Sequence, residues 1–210
     1  VASIHSKRSP LALRTNPPPL NVRTVTPLTA RFIPEPRERS AMSTQAKAGE
    51  MLVGAYHKFI GDCDFVTYQK TSLDTQTEVD VVGVDLDGKQ GIYACEVVTH
   101  LGGMGYGSYQ ENRDRLERKF KRAEKLVTSE YDTAGTYTFQ LWSLNTPKGL
   151  VTSLSELADE FEDDTGYELE LVMNDDYAER IQDLRDLASS KNAQTNDFAF
   201  RFLQIFEYLS

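Results

Sequence analysis

One segment near the middle of the chain, Ile92-Tyr93-Ala94-Cys95-Glu96-Val97-Val98-Thr99-His100, limits the possible folds more than any other. With the period of two of an extended strand, Ile92, Ala94 and Val98 fall on one face and Tyr93, Cys95 and Val97 on the other. A strand that is apolar on both faces has to be covered on both. It therefore belongs in the centre of a sheet with further structure above and below.

The rest of the chain supplies that structure. Residues 45–60 place Ala48, Met51, Leu52, Ala55 and Phe59 at helical spacing, which predicts an amphipathic helix ended by Gly61-Asp62. On that helix Glu50 points almost opposite the apolar stripe. Strands are expected at 65–70 and 77–85, and a hairpin turn at Leu86-Asp87-Gly88-Lys89 leads into the central strand. A glycine-rich loop at 102–107 precedes a long helix over about 108–128, with Tyr109, Leu116, Phe120, Ala123 and Val127 as its apolar stripe. A strand at 137–143 places Trp142 in the core. A helix near 153–163 opens with Ser153 and Glu156 in capping-box spacing. A fifth strand alternates over 167–173, and helices follow at about 176–189 and 197–209. The order α-β-β-β-α-β-α-β-α-α predicts an α/β domain, a mixed central sheet flanked by helices on both faces.

The formal charge of −9 argues at first against a nucleic-acid partner, because like charges repel a phosphate backbone. The charge is unevenly placed, however. Residues 1–41 hold seven Lys/Arg, two acids and seven of the eight prolines, a surplus of five positive charges. This stretch has no apolar period and is expected to be a disordered arm, leaving 42–210 as a single domain carrying −14. The arm reads as a transit segment, as a basic arm touching nucleic acid, or as translated sequence upstream of a start at Met42, where the composition changes. No stretch approaches the ~20 apolar residues of a membrane helix, so no membrane partner is expected. Cys63 and Cys95 match no metal spacing and fit a reducing, cytoplasmic compartment. The loop 102–107 fits neither a dinucleotide fingerprint nor a phosphate loop and reads as a connector.

The chemistry lies in two carboxylates set inside apolar strands. Asp80 interrupts Val79-Asp80-Val81-Val82, and Glu96 interrupts Ala94-Cys95-Glu96-Val97-Val98. A buried ionised carboxylate is costly unless it is paired. The two positions are symmetric about Gly88. A hairpin loop of odd length puts them directly opposite each other on one face, whereas a two-residue Asp-Gly turn puts them on opposite faces. Two convergent carboxylates suit Mg²⁺. The alternative is a solvated or salt-bridged pair at a strand edge.

The succession helix, strand, Asp strand, Glu strand, helix, strand over residues 47–145 resembles the core of the PD-(D/E)xK nuclease superfamily, which includes restriction endonucleases and archaeal Holliday-junction resolvases. The resemblance implies a restriction-endonuclease-like fold and a metal-dependent DNA endonuclease using Mg²⁺ or Mn²⁺. Asp80 and Glu96 match its metal carboxylates, and Glu50 matches a glutamate contributed by its first helix. The lysine it carries two residues after the glutamate is absent, since that position is Val98. Lys119 on the long helix is the expected substitute, and His100, on the face of Glu96, is a second candidate; His57 and His100 otherwise read as surface histidines.

The long helix also concentrates positive charge, with seven Lys/Arg against four acids over residues 111–125. Asn112, Arg115, Lys119 and Arg122 lie along one flank of its stripe and are the expected DNA contacts. The same residues would also suit a solvated helix face. The loss of the strand lysine leaves a second function open, a nucleic-acid-binding or interaction module on the same fold with catalysis lapsed. The aromatic last helix reads as core or dimer contact, and cutting both strands of a duplex calls for two sites, which a homodimer would supply.

Overall fold

The register of the central hairpin organises the sheet. β2 (Thr77–Val84) runs antiparallel to β3 (Gly91–Val98), with Val84 opposite Ile92 and Val81 opposite Cys95. The Asp85 N–H donates to the Gly91 carbonyl at 2.9 Å and closes the ladder. The loop between Asp85 and Gly91 thus has an odd number of residues, and the same register carried one step beyond Val81 and Cys95 would set Asp80 opposite Glu96. Positions 87–90, which hold most of the expected turn, lie outside the described residues.

This computed structural model describes residues 37–72, 77–86, 91–104, 107–131, 135–192 and 194–210, and side chains from Ala48 onward, Ser72 excepted. The expected arm lies outside the described residues as far as position 36. Helix α1 (Arg37–Phe59) opens the described structure, and β1 (Phe65–Ser72) follows, antiparallel to β2. After β3 come α2 (Tyr109–Glu130), β4 (Thr136–Ser143), α3 (Lys148–Thr165), β5 (Glu168–Met173), α4 (Asp175–Ser190) and α5 (Phe198–Leu209). The five strands form one sheet in sequence order, antiparallel from β1 to β3 and parallel from β3 to β5. The protein is thus α/β, with a five-stranded mixed sheet and five helices among the described residues, in the order expected. None of these helices is long and apolar enough to cross a membrane.

The two faces of β3 are covered as its sequence requires. On one face Ala94 and Val98 pack with Leu116, Phe120 and Val127 of α2 and with Leu150, Leu154 and Phe161 of α3. Full burial of a side chain such as Phe161 contributes about 2–3 kcal/mol. On the other face Cys95 and Val97 pack with Val53 of α1, Trp142 of β4 and Tyr177 of α4. Helix α5 lies outside α1 and α4, joined by Ala199 and Phe200 against Ala55, Leu184 and Ala188.

Three local expectations are corrected. The buried side of α1 matches the predicted stripe only in part: Ala55 is buried and Leu52 and Phe59 pack against the core, but Ala48 and Met51 are exposed, and Gly49, Glu50, Val53, Gly54 and His57 are buried instead. Gly49 explains why, since a Cβ there would sit 2.3 Å from Thr99 Cγ2. The missing side chain lets the helix backbone approach the end of β3, and that approach overrides the apolar period. Helix α3 starts at Lys148 with Pro147 as its cap, not at Ser153, because Leu150 already belongs to the buried row with Leu154, Leu157 and Phe161. Tyr109 is half exposed at the start of α2, and Asn112 takes its place on the buried side.

Candidate active site

The described structure brings together Asp80, Glu96 and Lys119. Glu96 shares the face of β3 that carries Ala94 and Val98, and α2 crosses that face on its way from β3 to the parallel strand β4. Phe120 anchors the middle of α2 in the core, and its neighbour Lys119 sits on the flank of the buried row. Its ammonium donates to Glu96 Oε1. Asp80 closes the other side: its Oδ2 accepts the Val97 N–H at 2.8 Å. A side-chain carboxylate thus takes a backbone donor just where the β2–β3 ladder ends.

Glu96 is buried and Asp80 partly so. Removal from water is the main reason both carboxyls are pushed above their ordinary range; for Glu96 the Asp80 charge is next. Lys119 opposes both shifts. Side-chain hydrogen bonding between the two carboxyls raises Glu96 further and lowers Asp80. Lys119 itself is held above its usual value by the Glu96 and Asp80 charges against the opposing effect of burial. The cluster is a pair of desolvated acids with the Lys119 ammonium across it.

A crevice opens beside it, lined by Glu96, Val98, Met104, Asn112, Arg115 and Lys119. Asn112 is 2% exposed, and its Nδ2 donates to the Ser108 carbonyl at 2.9 Å. Its Oδ1 is buried with no hydrogen-bond partner among the described residues. An orphaned acceptor of this kind costs about 1–3 kcal/mol. Helix α2 enters the site through a capping box at Ser108 and Glu111, an S-x-x-E spacing that sequence reasoning passed over.

Of the other expected residues, Arg115 lines the crevice and Arg122 is exposed further along α2. Arg118 and Lys125, which the sequence reading did not single out, join them: Arg115, Arg118, Arg122 and Lys125 recur at i, i+3, i+7 and i+10, all exposed. Arg118, Arg122 and Lys125 make no ion pair among the described residues, whereas Arg113 pairs with Glu160 and Lys121 with Glu117 and Asp164. The i, i+3, i+7 spacing was the signal that could have found this stripe.

Glu50 is buried, against the expectation from its helical angle, and its charge is felt by Tyr68 of β1. Among the described residues no group of three or more His, Cys, Asp or Glu lies close enough to hold a metal ion. β3 ends at Val98, so the alternation that put His100 on the face of Glu96 stops before reaching it. Two carboxylates whose mutual repulsion is offset by one ammonium still suit a hard dication that completes its shell with water and phosphate oxygens.

On the opposite face His57 is 2% exposed and not the surface residue expected. Its Nε2 donates to Gln140 Oε1 at 2.9 Å, and that oxygen also accepts from Trp142 Nε1 at 2.8 Å. Burial lowers the imidazole to about 4. Cys95 lies 3.3 Å from His57 Nε2 and is a core thiol, and Trp142 is fully buried, both as expected. Cys63 and Cys95 are free and buried. This network braces the strands beneath the site.

Comparison with known protein families, with curated proteins and with solved structures finds no match.

Proposed function

We propose that the protein is a metal-dependent nuclease with a restriction-endonuclease-like fold, hydrolysing DNA phosphodiesters at Asp80 and Glu96. The observation that carries the reading is the meeting of Asp80, Glu96 and Lys119. The cation missing at Val98 is supplied from α2, and its ammonium reaches Glu96. The strand order, antiparallel up to β3 and parallel beyond, accords with the resemblance of residues 47–145 to the PD-(D/E)xK core.

Bound by Asp80 and Glu96, Mg²⁺ or Mn²⁺ would polarise the phosphodiester and lower the pKa of an attacking water. Asp80 is fixed for this role by the Val97 N–H, and Glu96 by Lys119. The Lys119 ammonium would also offset charge developing on the phosphate oxygens. Asn112 Oδ1 offers an acceptor in the crevice for a water or sugar hydroxyl. The stripe Arg115, Arg118, Arg122 and Lys125 would hold the DNA backbone, which lets a chain of net negative charge bind a polyanion locally and with steep salt dependence.

Purified protein with Mg²⁺ or Mn²⁺ is expected to nick plasmid DNA, and Asp80→Ala or Glu96→Ala to abolish nicking. Cleavage that survives both substitutions would sink the assignment. One observation favours the second reading, a binding module with catalysis lapsed: the cluster offers two carboxylates and no third ligand among the described residues. That reading expects salt-sensitive DNA binding without cleavage and no rise in melting temperature with Mg²⁺.

A further inference from the structure

Helix α5 is apolar on both sides. Ala199 and Phe200 are buried against α1 and α4, as the inner side of a surface helix should be. The outer side is apolar too: Phe198 is 71% exposed, Phe202 50%, Ile205 45%, Phe206 54%, Tyr208 90% and Leu209 75%. Phe198, Phe202 and Phe206 form a continuous ladder, with ring centroids 6.1 and 4.7 Å apart. At 150–250 Å² for each aromatic side chain, these exposures amount to roughly 700 Å² of apolar surface. That exceeds the largest apolar patch of most monomers and approaches the ~800 Å² that each partner contributes to a stable interface. A surface helix that is apolar on its outer side as well as its inner one calls for a further surface to cover it.

From this we infer that α5 is the dimer interface of the protein, pairing antiparallel with α5 of a second copy. The pattern of the seam selects a second copy over another occupant. Phe198, Phe202, Ile205 and Leu209 are spaced by four, three and four residues, the repeat of a helix–helix seam. That spacing reads the same in both directions. An antiparallel copy therefore sets Phe198 of one chain against Leu209 of the other and Phe202 against Ile205, about a twofold axis passing between positions 203 and 204. Self-complementarity of this kind is what an isologous interface requires.

The charges on α5 leave the seam clear. Arg201 donates to Gln204 at 3.1 Å, and Glu207 accepts from Arg185 of α4 at 2.8 Å. The cations beside the patch, Lys191 and Arg201, line a pocket at its edge with Ile205, Tyr208 and Leu209, whereas the seam positions Phe198, Phe202, Ile205 and Leu209 are all apolar, as pairing with a second copy requires. The inference does not depend on the nuclease reading, since the dimer uses neither Asp80 nor Glu96.

Sedimentation velocity and light scattering on the full chain test it. The wild type is expected to have twice the 23.7 kDa chain mass. Phe202→Glu/Phe206→Glu, at exposed positions, is expected to be monomeric with an unchanged circular-dichroism spectrum. Phe198→Cys/Leu209→Cys is expected to give a covalent dimer on mild oxidation, because the two sites lie about 16 Å apart along a single helix and cannot bridge within it. A monomeric wild type, a double-Glu variant that stays dimeric, or cysteines that do not cross-link a dimer would each overturn the inference.

Discussion

Glu96→Gln should make the metal-free protein more stable at alkaline pH while ending its activity. The amide keeps the shape of the side chain and can still accept from Lys119, but it removes one of two carboxyls that repel each other in a poorly solvated site. Burial raises Glu96 from 4.5 to about 8. An acid raised in the folded state holds a proton there that the unfolded chain has lost, so stability falls as pH rises from its unfolded value through its folded one. The full shift corresponds to about 4–5 kcal/mol at 1.36 kcal/mol per pH unit. Lys119 relaxes with the pair and water reaches its exposed side, so about 2 kcal/mol of measurable loss is expected. For a chain of this size that is about 4–8 °C in melting temperature. The assay is thermal unfolding followed by circular dichroism at pH 6 to 9 with a chelator present. Wild type should lose stability across that range and Glu96→Gln should stay flat, with the curves diverging most at pH 9. Parallel curves, or a variant less stable than wild type at pH 9, would refute the reasoning that Glu96 and Asp80 repel each other in a desolvated site.

Further expectations concern other parts of the molecule. His57 stays neutral in the fold down to about 4 while the unfolded imidazole protonates near 6.5, so stability falls as pH drops through that window, by about 3 kcal/mol in all; urea unfolding of wild type and His57→Leu at pH 7 and 4.5 should show a smaller acid loss in the variant. Asn112→Leu removes the orphaned buried acceptor and should raise stability by about 1 kcal/mol, while cutting DNA cleavage severalfold in the same preparation. Arg118→Gln/Arg122→Gln should weaken DNA binding uniformly across sequences and reduce the slope of log affinity against log salt by about 2, leaving the melting temperature unchanged.

The strands were legible because their chemistry is local. Alternation placed β2 and β3, and the symmetry of Asp80 and Glu96 about Gly88 held the register that the odd loop then realised. The place of Lys119 beside Glu96 was legible because its angle on α2 follows from the apolar row. What escaped depends on contacts between distant segments. Glu50 and His57 are buried because Gly49 lets α1 settle against Thr99 and because Gln140, 83 positions from His57, receives its proton donor. No periodicity within α1 encodes either contact. The orphaned Oδ1 of Asn112 is likewise invisible until the helix is docked. The last helix misled in the other direction: its composition reads equally as core or as contact, and only the packed structure shows that half of its aromatic surface faces outward.

The most direct test concerns the lysine. Single-turnover cleavage of plasmid DNA with Mn²⁺ should be lost in Lys119→Met, although the protein stays folded, and regained in part when Val98→Lys is added to it, because Val98 faces the same crevice from the strand side. Undiminished cleavage by Lys119→Met would contradict the claim that the cation of this site comes from α2.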